Sequence, residues 1–390
     1  MKLAQGIVGI LILVPTAWGY AAPVARSCQA EPVFQQADGL LKSKNYAEAE
    51  KVLDQLQGCT NLSAIQVFNW GWLYGRAHDS KKALKRFQAV SPDIPDRGTH
   101  QYAIALSEFE LGNYQGTVDA LKDLHAQGQL NANATNLLGV SYSKLGLYKD
   151  AYPILVEELR QNPGDLFAYL NLVTLLTDTG NFKNASEVAE QAVVAFPGNP
   201  DVLVVRGAVN VLLGNMEKSK SDFASAVAIA PQQPDAQFLL ALADYKQGSY
   251  DAAMADLKAA FGLGIKDSDL HYLFAECLLK ADPGKTDEAL AQLNQAVALN
   301  GKSVPARTLR GKLLLQSGKP KEAAQDLELA HRIDPTSRSA LYNLARVDTA
   351  LGKKEEAKAL LKQMDSQVTD SLGELSDQRV KKVLNGDASQ

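Results

Sequence analysis

Apolar and polar positions along this chain repeat with a helical period, and the repeating block is itself repeated. Between residues 132 and 165, Leu138, Gly139 and Tyr142 form an i, i+1, i+4 stripe, which predicts a helix. Gly146 follows four residues later, where a left-handed residue can end that helix. Tyr148, Ala151 and Leu155 begin a second stripe, and Pro163 stops it, because proline lacks the N–H and fixes φ. The block is therefore two antiparallel helices and a tight turn.

The block recurs every 34 residues. Gly112, Gly146, Gly180, Gly214 and Gly248 are 34 apart, as are Gly318 and Gly352. The two sets are separated by 70 residues, two periods plus two, and the Asp282-Pro283-Gly284-Lys285 turn accommodates the excess. One small column runs Ala37, Gly71, Ala105, Gly139, Val173, Gly207, Ala241, Ala275, Gly311 and Ala345, with Val173 as the exception. A second small column includes Ala49, Ala83, Thr117, Ala151, Ala185, Ser219 and Ala253. A third, mostly large, includes Leu53, Phe87, Leu121, Leu155, Ala189, Phe223, Leu257 and Leu327. Proline recurs in or near the closing turns as Pro92, Pro163, Pro197, Pro231 and Pro335. Helices pack about 8–10 Å apart depending on the contacting side chains, so a small residue at the crossing allows close approach while large residues fill the flanks. One hairpin cannot bury its outer face and must stack on the next.

Trp70-Gly71 with Tyr74 and Ala83, and Leu138-Gly139 with Tyr142, Gly146, Tyr148, Ala151 and Pro163, resemble the motif of the tetratricopeptide repeat family. Leu344, Ala345, Gly352 and Ala357 match it more loosely. The resemblance implies an all-α, right-handed superhelical solenoid of about ten antiparallel helix-turn-helix units, over residues 22–364. After Met364 the period is lost, but Leu372, Leu375, Val380, Val383 and Leu384 still mark an amphipathic helix. Residues 365–384 are expected to be a C-terminal capping helix over the last hairpin, with Arg379, Lys381 and Lys382 towards water, followed by a disordered tail, 385–390.

The N-terminus changes the setting. Met1-Lys2, the apolar run Ile7 to Val14 and the small residues around Ala21-Ala22 predict a secretory signal peptide over residues 1–21. The expected location is periplasmic or secreted; the alternative is a chain anchored in the membrane by an uncleaved N-terminal segment. No other stretch reaches spanning length. Arg26 before Cys28 argues against a lipoprotein. In the hairpin frame Cys28 precedes the first helix and Cys59 follows the second. Those ends are neighbours, and export leads to an oxidising compartment, so a Cys28–Cys59 disulfide is predicted, with two free thiols as the alternative. Cys277, beside Leu278 and Leu279, reads as a core thiol.

Composition adds little chemistry. The net charge of −4 and pI near 5.8 leave no basic excess for nucleic acid. No H-E-x-x-H, C-x-x-C, G-x-S-x-G or phosphate-binding glycine loop occurs. His78, His100, His125, His271 and His331 are scattered, so neither a metal nor another cofactor is expected. Glu157-Glu158 and Glu355-Glu356 read as solvated faces. The sequons at Asn61, Asn133 and Asn184 matter only in a host that glycosylates.

The chain therefore reads as a non-enzymatic scaffold with a protein or peptide partner, in an envelope complex. In the resembled family the first helices line a concave groove. One residue after the family's tryptophan-like position the register gives Phe34, Phe68, Tyr102, Asn136, Leu170, Val204, Phe238, Tyr272, Thr308 and Tyr342, six of them aromatic. One turn on come Trp72, Phe109, Leu242, Tyr245, Lys312 and Arg346. These aromatics are either groove anchors, as at binding hot spots, or packing against the next hairpin; Trp70 is assigned to the core. Some family members clamp a C-terminal carboxylate. Only fragments of that clamp occur here, Asn69, Asn171 and Asn343 with Lys312 and Arg346, and these two basic residues could still hold an acidic group. Two other readings stay open: a self-associating structural envelope component, and a glycan-binding or enzyme-accessory module using the aromatic face.

Overall fold

The computed structural model describes residues 28–363 and 371–384. The expected leader (1–21), its cleavage site and the tail (385–390) lie outside them. Among the described residues the chain is all helical and pairs its helices as hairpins. It divides into two compact units, Met1–Leu130 and Asn131–Gln390.

The N-terminal unit holds three hairpins: α1 (Ala30–Lys42) with α2 (Tyr46–Asp54), α3 (Ala64–Arg76) with α4 (Ser80–Gln88), and α5 (Arg97–Glu110) with α6 (Tyr114–Ala126). The C-terminal unit holds seven. They are α7 (Ala132–Lys144) with α8 (Tyr148–Gln161), α9 (Leu166–Asp178) with α10 (Phe182–Ala195), α11 (Pro200–Leu212) with α12 (Met216–Ile229), and α13 (Pro234–Lys246) with α14 (Tyr250–Gly262). α15 (Ser268–Ala281) with α16 (Thr286–Leu299), α17 (Val304–Gln316) with α18 (Pro320–Ile333) and α19 (Arg338–Ala350) with α20 (Lys354–Gln363) complete the series. A last helix, α21 (Ser371–Leu384), stands outside the pairing.

The columns read from the sequence meet in space. A Cβ added at Gly71 would come 2.6 Å from the Phe87 ring, at Gly139 2.7 Å from Leu155, at Gly207 2.5 Å from Phe223, and at Gly311 2.6 Å from Leu327. Each pair joins the first helix of a hairpin to the second, sixteen residues on. The small residue is required because the large one fills the place of its side chain. In the fifth hairpin the sizes are exchanged. Val173 and Ala189 stand at the same spacing, both buried in one apolar cluster, so the exception in the small column is compensated in the large one.

Turn chemistry follows the same register. Glycine at 112, 146, 180, 214, 248, 318 and 352 has positive φ. The two earlier turns place Lys44 (φ 59°) and His78 (φ 63°) there instead. Ahead of Pro163, Pro197, Pro231 and Pro335, the capping residues Asn162, Phe196, Ala230 and Asp334 leave the helical region at φ near −127° to −129°, as the proline ring requires.

The N-terminal end is closed covalently. Cys28 and Cys59 are joined as a disulfide with Cα atoms 5.6 Å apart. Beside it the Asn61 side chain clamps the backbone of Cys28, accepting from its N–H at 2.7 Å and donating to its carbonyl at 2.9 Å. The interior of this unit is aromatic: Phe68, Phe87 and His100 pack together, and Arg86 lies 3.4 Å over the buried Trp70 ring. Cys277, in α15, is fully buried, and burial pushes its thiol up to about 12, as a core thiol should behave.

Three expectations are corrected. The principal contacts of α21 are with α9, α11, α13 and α17, not with the last hairpin α19–α20. Arg379 is buried, not directed to water; the carboxylates it meets belong to hairpins far upstream and were invisible to a local reading. Glu158 is also buried, accepting from Asn162 Nδ2 at 2.7 Å, whereas Glu157 stays at the surface with Arg160.

Candidate functional site

The nine aromatic groove candidates, with Lys312 and Arg346, fall into the two units and are described unit by unit. In the N-terminal unit Phe34 and Phe68 are buried core. Their position faces the adjoining hairpin, so the register that nominated them as anchors instead places them in packing. Trp72 is half-buried, edge-on to Phe68 and Phe87 and 6.5 Å from the Tyr102 ring. Burial, with Glu110 nearby, raises the Tyr102 phenol above its ordinary value. Phe109 is half-buried, edge-on to Tyr114 at 5.3 Å.

In the C-terminal unit Phe238 and Tyr272 are buried, which likewise removes them from the list of free aromatic anchors. Tyr245 repeats the Phe109 arrangement, edge-on to Tyr250 at 5.4 Å. Tyr342 is 48% exposed, with Arg346 over its ring at 5.7 Å. Tyr245, Tyr272 and Lys312 converge with Glu276, Thr308 and Asn343 around one cavity of about 350 Å³. Four successive first helices, α13, α15, α17 and α19, supply these side chains. The Tyr272 hydroxyl donates to Glu276 at 3.0 Å. Asn343 directs its amide N–H to the Ser339 carbonyl at 2.8 Å, so this fragment of a carboxylate clamp is already engaged within its own helix.

Sequence reasoning missed the most charged part of this face. Asp235 and Asp269 occupy equivalent places, 34 residues apart, in the first turns of α13 and α15, where a carboxylate also complements the helix dipole. Asp201 holds the same place in α11. Asp267 caps α15, accepting from the backbone N–H of Asp269 and Leu270. Arg379 of α21 enters between them. Its guanidinium donates to both oxygens of Asp267 at 2.8 and 2.7 Å, to Asp269 at 3.1 and 2.8 Å, and to Asp235. Its other face lies 5.0 Å from the centre of the Phe238 ring. Burial works against ionised Asp267, but Arg379 and two backbone N–H groups hold its carboxyl below the usual range. Burial, aided by the neighbouring Asp267, keeps Asp269 above it despite Arg379. Lys382 adds a second cation on Asp235 at 3.1 Å. The aspartate column was legible as a 34-residue recurrence; its arginine, outside the repeat, was not.

Among the described residues no group of three or more His, Cys, Asp or Glu side chains is arranged to hold a metal. No described helix is long and apolar enough to cross a membrane.

Paired helices joined in register, with hairpins stacked on one another within each unit, define a helical-repeat scaffold. Family models described as tetratricopeptide repeat match residues 274–338 and 314–375, and the model "Anaphase-promoting complex, cyclosome, subunit 3" matches 178–296. These matches support the tetratricopeptide repeat family, whose architecture is typical of protein–protein interaction. The BBSome complex member BBS4 of Bos taurus is 23% identical over 202 residues, covering 50% of this chain and 39% of that protein. The chain thus spans well under half the length of this relative. Among solved structures, a tetratricopeptide repeat protein from Parabacteroides merdae has 19% identity and a TM-score of 0.49, covering 69% of this chain and 98% of that one. PilF of Pseudomonas aeruginosa has 18% identity and a TM-score of 0.46, over 54% of this chain and 94% of that one.

Proposed function

We propose that the protein is an exported, non-enzymatic scaffold that binds a peptide or protein partner on the groove face formed by its first helices. The observation that carries this reading is the cavity that Tyr245 and Lys312 line, floored by the buried Tyr272. It lies across four hairpins, it combines aromatic surface with hydrogen-bonding groups, and Lys312 offers a cation to an acidic group on the partner. The exposed Tyr342 and Arg346, on α19, extend that surface. The exported setting is supported by the Cys28–Cys59 disulfide, a bond that persists in oxidising compartments.

The test is affinity capture from the envelope fraction of the source cells with the chain from Ala22 onward. Its comparator is a Tyr245→Ala/Lys312→Glu/Arg346→Glu variant whose helix content is verified by circular dichroism. A protein retained by the native chain and lost by the folded variant supports the reading. Identical captures by both, or none by either, would remove this face as the working surface.

A further inference from the structure

The helix α21 differs from every other element in how it is held. Within the C-terminal unit each hairpin packs mainly on its neighbours in sequence, whereas α21 reaches back onto α9, α11, α13 and α17. Its principal contacts there are all with first helices, so it lies on the face that the repeat leaves uncovered. Its buried apolar side chains, among those described, are Leu375, Val380, Val383 and Leu384, which merge with the core of the unit. Val380 sits among Val211, Leu239 and Leu242. Polar contacts fix its ends and register: Lys246 Nζ donates to Ser376 Oγ at 3.2 Å, and the Thr174 hydroxyl donates to the Leu384 carbonyl. At its centre Arg379 neutralises carboxylates drawn from two hairpins. Apolar anchors along one face of a helix, around one buried arginine in an acidic socket, are the features of a helix-in-groove complex.

We propose that α21 is a resident ligand of this groove. The external partner the groove takes is an amphipathic helix of the same chemistry, with an arginine for Asp235, Asp267 and Asp269 and apolar residues at the Leu375, Val380, Val383 and Leu384 places. The inference rests on the reading of the first-helix face as the binding surface, and it names both the partner class and what holds the face closed. The charge balance fixes the specificity. With α21 away, the three carboxylates face the groove without Arg379 and Lys382, so a neutral or acidic helix leaves them uncompensated. The arginine is suited to the socket because its planar fork addresses several carboxylate oxygens at once. Because α21 belongs to the same chain, it competes at a high effective concentration, and an external helix binds only when α21 leaves.

The test uses a labelled peptide of the sequence Ser371–Leu384 and the full chain in three forms: native, Arg379→Gln/Val380→Asp to release α21, and the released form with Asp235→Asn, Asp267→Asn and Asp269→Asn. Fluorescence anisotropy should show the peptide binding the released chain at least about ten-fold more tightly than the native chain. The gain should vanish with the three asparagines, and with a peptide carrying Arg379→Glu. Because the released form could lose structure, circular dichroism accompanies it, and hydrogen exchange on the native chain gives a second reading. There the α21 amides should exchange faster than those of α13. Equal peptide binding by native and released chains, no binding by a released chain of native helix content, or α21 amides protected as strongly as α13 would each overturn the proposal. So would a released chain that dimerises through its own α21, since the occupant would then be a second copy. Failure here with envelope capture still dependent on Tyr245, Lys312 and Arg346 leaves the scaffold reading standing. Loss of that capture with peptide binding intact does the reverse.

Discussion

The two units of this chain build hairpins by one rule and finish them by different means. In the N-terminal unit the terminal hairpin is fastened by the Cys28–Cys59 bond and the Asn61 clamp, and its first two turns put Lys44 and His78 in the left-handed region. In the C-terminal unit all turns at that place but one use glycine, and the extra helix α21 folds back over the first-helix face. A repeat satisfies its interior by stacking, but an end has no further neighbour. The contrast shows that the period governs the interior alone, while ends and exposed faces require residues outside it.

The comparison can be broken most strongly at the disulfide. A Cys28→Ser/Cys59→Ser variant should lower the stability of the N-terminal unit by about 3–4 kcal/mol, the chain-entropy value for a loop of this length. Thermal unfolding should then show an earlier N-terminal transition and faster tryptic cleavage near α1, with the C-terminal unit unchanged. Unaltered melting would mean that packing and Asn61 suffice to hold the hairpin.

The size exchange in the fifth hairpin offers the next largest effect. Ala189→Leu should cost about 1–3 kcal/mol, since the new side chain competes with Val173 for one volume. Adding Val173→Gly should recover much of that loss by restoring the arrangement of Gly207 with Phe223. Urea denaturation of the single and double variants measures the coupling. Additive losses would show that the two positions do not compete.

The smallest effect sharpens the contrast in turns. Lys44→Gly should stabilise the N-terminal unit by about 1 kcal/mol, because glycine enters the left-handed region without steric cost. His78→Gly should gain less, since it gives up the edge-on contact of the His78 ring with Tyr46 at 4.7 Å. Paired chemical denaturation curves would reveal the order, and a greater gain at position 78 would contradict the account.

The sequence by itself determined the paired helices, the spacing of their turns and the meeting of small and large columns. All three depend on residues within one 34-residue block, where chain connectivity fixes the neighbour. It also brought Cys28 to Cys59, because both flank the same hairpin. The tertiary structure alone decided which aromatics face outward. Phe34, Phe68, Phe238 and Tyr272 are buried while Tyr342 is exposed at the same register place, because exposure depends on what an adjoining hairpin or a distant segment presents. It alone seated Arg379 among Asp235, Asp267 and Asp269, residues more than a hundred positions away. Periodicity carries no information about such a contact; the segment that lost the period was free to pack wherever apolar surface and opposite charge were left uncovered.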